Sequence, residues 1–145
     1  MYIKSISIFF SIILISLSAQ SQNVNLKSTP EAKKPVPSIT TDPYGKITPI
    51  QVTKILSDPN QPFTIIDVRM DNEVAQGKIE NALTIDFLAN DFEKKISQLD
   101  KSKKYIVYCK VGGRSEKAMM LMKEQGFKEV HNLDGGYVAY RSLIK

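Results

Sequence analysis

The stretch Tyr105-Ile106-Val107-Tyr108-Cys109-Lys110-Val111-Gly112-Gly113-Arg114-Ser115 carries the chain's one cysteine, two adjacent glycines and an arginine. The β-branched and aromatic run predicts a strand that ends at the thiol. Gly112 and Gly113 then permit a tight loop and close approach of the backbone to a bound group. Ser115 opens a helical pattern through Glu116, Lys117, Ala118, Met119, Met120, Leu121 and Met122. A short loop entering a helix leaves several backbone N–H groups unpaired, and these concentrate positive potential. A cysteine placed there is held as thiolate, the form that attacks and accepts sulfur. The competing reading is a small buried hydrophobe at the end of an apolar strand. Two glycines and an arginine directly after the thiol are not what core packing needs, so the chemical reading prevails.

The flanking pattern supplies the elements that position this loop. Thr48-Pro49 reads as an N-cap with proline at the first helical position, leading Ile50, Val52, Ile55 and Leu56 into a short helix. Asp58-Pro59-Asn60 ends it. Phe63 to Val68 is a short apolar run of the kind found in buried parallel strands. Asp71 to Ala75 predicts a helical turn closed by Gly77, and Leu83 to Phe87 a further short strand. Phe92, Ile96 and Leu99 have helical spacing. After the Tyr105–Cys109 strand come a helix from Ser115 to Gln125 closed by Gly126, a strand at Glu129–His131 and a final helix from Gly136 to Ile144. Strands alternating with helices over about a hundred residues predict a parallel sheet covered on both faces. In such sheets ligands bind at the carboxyl ends of strands, where Cys109 stands.

The chain has 145 residues, enough for one domain. Residues 1–21 form a secretory signal pattern: one lysine, an apolar stretch from Ile6 to Leu17, then Ser18-Ala19-Gln20-Ser21 for cleavage. That stretch is short for a membrane span, so no stable membrane anchor is expected after cleavage. Residues 22–46, rich in proline, lysine, serine and threonine, read as a disordered tether. The folded domain is expected over 47–145. The net charge of +5 is spread out: residues 47–145 hold 15 basic and 13 acidic residues, a balance of +2. A nucleic-acid binder would show a denser basic face. An exported chain ordinarily pairs its cysteines, and Cys109 has no partner in the sequence. No CxxC pair and no Cys/His cluster is present, so no metal site is expected. His131, without a second ligand or base near it in sequence, reads as structural.

Four motifs in order resemble a single-domain rhodanese, a sulfurtransferase module. They are Ile66-Asp67-Val68-Arg69 followed by Glu73; Gly77-x-Ile79-x-Asn81-Ala82 with Ile85; Tyr108-Cys109-x-x-Gly112-x-Arg114-Ser115-x-x-Ala118; and Leu133-x-Gly135-Gly136. The resemblance implies a rhodanese-like α/β fold, with a parallel sheet flanked by helices on both faces. It also implies a six-residue active loop from Cys109 to Arg114. Cys109 would carry sulfur as a covalent persulfide, with no other cofactor. The amides of Lys110, Val111, Gly112, Gly113 and Arg114 would cradle the outer sulfur. Lys110 and Arg114 are the nearest charges for an anionic donor, and Arg114 either contacts substrate or turns away to brace the loop. Arg69 and Glu73 are expected as a structural ion pair, Asp67 as a support that orients the loop, and Ser115 as support at the helix start. The chain departs from the family at Lys78, Glu80 and Asn81, where histidine, proline and glycine are common, and at Tyr140, where a tryptophan often stands.

The expected activity is transfer of sulfur from a small anionic donor of thiosulfate or polysulfide type to a thiol, cyanide or protein acceptor. The chain is expected to be exported, to the periplasm or beyond, and monomeric, with no nucleic-acid partner. The alternative is a non-catalytic binding module on a flexible tether. A phosphatase or arsenate reductase is disfavoured, because the related phosphatases use a loop one residue longer than Cys-x4-Arg. An exposed thiol of this kind is also open to oxidation.

Overall fold

The computed structural model describes residues 42–145, and these form a five-stranded parallel sheet with helices on both faces. The sheet order is β1 (Lys46–Ile47), β5 (Glu129–Leu133), β4 (Lys104–Tyr108), β2 (Phe63–Asp67), β3 (Leu83–Thr84). Every pairing is parallel, with Ile66 opposite Val107 and Val107 opposite Asn132. The strand that ends at Cys109 is therefore central, its carboxyl end flanked by those of β2 and β5.

Period-two alternation divides the apolar residues between two cores. Ile66, Val68, Tyr105, Val107, Cys109 and Val130 face α3 (Phe92–Ser97) and α4 (Gly113–Glu124), where Phe92, Ile96, Ala118, Met119 and Met122 meet them. Phe63, Ile65, Ile106, Tyr108 and Leu133 face α1 (Pro49–Leu56) and α5 (Gly136–Leu143), packing on Val52, Ile55 and Tyr140. Each large apolar side chain so buried contributes about 1.5–3 kcal/mol. Strands covered on both faces have little need of polar residues, which is why β2 and β4 read as near-continuous apolar runs.

The predicted helix starts are largely realised. Thr48 caps α1 in a capping box, its backbone N–H donating to Gln51 Oε1 at 2.9 Å and Pro49 standing at the first position. Helix α4 starts two residues earlier than predicted, at Gly113, with Gly112 as N-cap at φ +105°. β3 is shorter than expected and β5 longer. His131 is buried in β5 beside Phe63, with Nε2 3.1 Å from Glu129.

β1 has no sequence signature. Two residues between polar neighbours show no alternation, and only pairing with β5 makes them a strand. The ordered fold consequently starts before Ile47. Val130 N–H donates to Pro43 O at 2.8 Å, Asn132 N–H donates to Gly45 O at 3.0 Å, and the Tyr44 hydroxyl donates to Phe127 O. The last residues assigned to the tether thus belong to the domain. The expected signal segment 1–21 and the expected tether residues 22–41 lie outside the described residues.

Candidate active site

Cys109 leaves the end of β4 toward the α4 face, and its residue is only 1% exposed. The sulfur is therefore buried at the base of the loop, which corrects the expectation of an exposed thiol. Gly112 makes the loop: its backbone lies at φ +105°, a region that favours glycine, and this turns its N–H onto Cys109 Sγ at 3.2 Å. The Ser115 hydroxyl stands 3.5 Å from the same sulfur, 3.0 Å from Gly112 O and 2.7 Å from Asn132 Oδ1. Burial pushes the thiol up, but hydrogen bonding from the Ser115 hydroxyl and from the amides of Ser115, Val111 and Gly112 outweighs it. The net result is a thiol held below its ordinary value. The amino-terminal dipole of α4 acts in the same direction.

Asn132 was not singled out from the sequence. It is buried in β5, and its side-chain N–H donates to Gly112 O at 3.2 Å, fixing the loop from the neighbouring strand. The sequence offered no clear signal, because Asn132 shares the strand with two other polar residues, Glu129 and His131. The first turn of α5 also grips the loop. Tyr137 N–H donates to Cys109 O at 2.8 Å, and Val138 N–H to Lys110 O at 3.1 Å. Gly136 allows this contact, because a Cβ there would lie 2.5 Å from Cys109 O.

The charged residues pair differently from the sequence expectation. Arg69 does not pair with the Glu73 carboxylate. It is buried and binds Asp67, with Nε 2.9 Å from Oδ1 and Nη2 2.6 Å from Oδ2, and donates its remaining hydrogen bonds to Glu73 O and Gly77 O. Tyr137 covers the guanidinium, 4.1 Å from ring centroid to Cζ. Only two residues separate Asp67 and Arg69, so the buried charge is satisfied locally, and Asp67 holds Arg69 rather than the loop. Glu73 instead takes Arg114 in a bidentate pair, at 2.6 and 2.7 Å. The Arg114 hydrogen bond holds the Glu73 carboxyl below the usual carboxylate range. Of the two orientations open to Arg114, the structure has it turned onto Glu73.

Asn81 stands where the family commonly has glycine and adopts φ +58°, a conformation asparagine tolerates better than most residues. Lys110 and Val111 project outward at the loop tip. A cavity of about 430 Å³ adjoins the loop, lined by Arg69, Glu73, Lys110, Tyr137, Arg141 and Lys145 among others. No group of three or more His, Cys, Asp or Glu residues suited to a metal ion occurs among the described residues.

The chain is thus a parallel α/β domain with a cysteine at the end of its central strand, beneath a loop that runs into a helix. The Rhodanese-like domain family model matches residues 48–143, and the chain belongs to that family. It is 39% identical over 88 residues to the "Putative sulfurtransferase YtwF" of Bacillus subtilis, a match covering 61% of this chain and 82% of that protein. It is 43% identical over 79 residues to a tRNA uridine(34) hydroxylase of Cytophaga hutchinsonii, covering 52% of this chain. The matched stretch spans only 25% of that longer protein. The crystal structure of a rhodanese-like domain protein from Staphylococcus aureus superposes with a TM-score of 0.60 at 29% identity, over 66% of this chain and 90% of that one.

Proposed function

We propose that this chain is an exported sulfurtransferase that moves sulfane sulfur from a thiosulfate- or polysulfide-type donor to a thiol or cyanide acceptor through a persulfide on Cys109. The observation that carries the reading is the 3.2 Å hydrogen bond from Gly112 N–H to Cys109 Sγ, inside a loop whose other amides and hydroxyl favour the thiolate. Cys109 thiolate attacks the outer sulfur of thiosulfate. The new S–S bond forms as the old one breaks, and its electron pair leaves with sulfite. The outer sulfur of the resulting persulfide carries the negative charge that the loop amides and the α4 dipole stabilise. An acceptor nucleophile then attacks that sulfur and returns the electron pair to Cys109. No step requires a metal or a second cysteine.

Intact-protein mass after incubation with thiosulfate, and separately with a polysulfide, tests the proposal. The expected result is a gain of one sulfur that is absent in Cys109→Ser and is removed by cyanide or a thiol. A folded protein with a titratable thiol that gains no mass from either donor overturns it in favour of the binding-module alternative. Export is tested separately by the N-terminal sequence of the protein recovered from the cell envelope, expected to begin near residue 20 or 22.

A further inference from the structure

We infer that the cavity beside the loop is an acceptor subsite for small thiols carrying two carboxylates; this rests on the sulfurtransferase reading above. Its position connects it to the sulfur. Lys110, next to the cysteine, forms part of the lining, and so do Tyr137 and Arg141 of α5. The first turn of that helix is hydrogen-bonded to Cys109 O and Lys110 O. A molecule in the cavity therefore lies beside the loop that would present the persulfide. Cys109 is not part of the lining, because its Sγ turns inward toward the α4 amides. A donor as small as thiosulfate does not need this space. At about 430 Å³ the cavity is in the size range of pockets that hold small organic molecules.

The charges in the lining set the chemistry. Arg69 is neutralised by Asp67, and Glu73 by Arg114. Lys110, Arg141 and Lys145 form no ion pair among the described residues. The one side-chain carboxylate in the lining, Glu73, is taken by Arg114, so these cations stand beside the aromatic face of Tyr137 with no side-chain counter-charge in the lining. Any two of these unpaired cations, with the one ring, suit a short hydrocarbon bearing two carboxylates. Its thiol ionises to water, and the thiolate attacks the outer sulfur of the Cys109 persulfide. A new S–S bond forms on the acceptor, the Cys109 Sγ–S bond breaks, and Cys109 recovers the electron pair as thiolate.

The test charges the full chain with thiosulfate, isolates the persulfide, and follows sulfur loss by mass. The acceptors are mercaptosuccinate and 2-mercaptoethanol at matched thiolate concentration. Wild type should discharge to mercaptosuccinate about tenfold faster, as two partly screened charge contacts permit, and salt should erode the difference. Arg141→Glu should reduce the ratio to near unity. Lys110→Gln serves as a second variant, so a failure of either to fold does not decide the matter. Equal discharge in wild type, or an unchanged ratio in a folded variant, overturns the subsite. Succinate titration read on the backbone amide resonances of Tyr137, Val138 and Arg141 is the independent arm. Shifts support the site, and their absence at millimolar succinate overturns it. If no persulfide forms with any donor, the sulfurtransferase reading falls and the acceptor role falls with it. The succinate arm then decides separately whether a dicarboxylate site exists.

Discussion

Replacing Asp67 by Asn should unfold this domain more readily than any change of similar size on its surface. Asp67 is fully buried and Arg69 is 3% exposed, so neither charge can turn to water when its partner is removed. Asp67 receives three hydrogen bonds from the Arg69 side chain and one, at 3.0 Å, from the Arg69 backbone N–H. Asparagine keeps the shape but removes the charge and points an N–H₂ group at a guanidinium. Breaking a buried pair on one side costs about 3–5 kcal/mol, because the other charge stays buried without a counterpart. For a domain of about a hundred residues, each kcal/mol lowers Tm by about 4–8 °C. Asp67→Asn should therefore lower Tm by about 12 °C or more and move the urea midpoint accordingly. Arg69→Met in the same background should recover part of the loss, since it removes the stranded charge, and the double-mutant cycle should show strong coupling. A loss below about 1 kcal/mol in Asp67→Asn, or additivity with Arg69→Met, would refute this account of the pair.

Three further outcomes follow from the site. Because burial opposes the Cys109 thiolate and hydrogen bonds from Ser115 and the loop amides outweigh it, alkylation by iodoacetamide should persist below the pH at which a free thiol stops reacting. Ser115→Ala should make the reaction about tenfold slower at neutral pH, as loss of one hydrogen bond to a charged group predicts, and an unshifted pH profile would contradict the role of the hydroxyl. Gly136→Ala should cost about 2 kcal/mol or more, because the added Cβ would sit 2.5 Å from Cys109 O and the backbone is at φ +60°; denaturant melts and thiosulfate-dependent mass gain should both suffer, and a neutral effect on both would count against the α5 clamp. Glu73 has its folded-state pKa lowered by Arg114, so the stability it contributes is present above the unfolded value near 4.3 and is lost as pH falls through the lower folded value. Glu73→Gln should accordingly cost about 1–2 kcal/mol at pH 7, and the cost should shrink progressively as the pH is lowered through the acid range, with denaturant midpoints across that range as the check.

The sheet and the loop were legible in the chain for local reasons. Tyr105 to Tyr108 and Phe63 to Val68 are short apolar runs, Thr48-Pro49 carries its own cap, and the Cys109–Arg114 spacing states the loop length directly. Each of these is a pattern within a few residues, where propensity and turn chemistry act. The partners across the sheet were not legible. Nothing along the sequence says that Glu73 takes Arg114, 41 positions away, while Arg69 is taken by Asp67. That choice depends on β2 and β4 lying side by side, which brings the residues after both strands to one end of the sheet. Asn132 enters the site for the same reason, because β5 is the other neighbour of β4. β1 is a strand only by virtue of β5. By itself the sequence determined the alternation of elements and the position of the lone thiol at the head of its loop. The tertiary structure decided which charges meet, how deeply the sulfur is buried and where the unpaired cations gather, since pairing energies and desolvation depend on distances in space rather than along the chain.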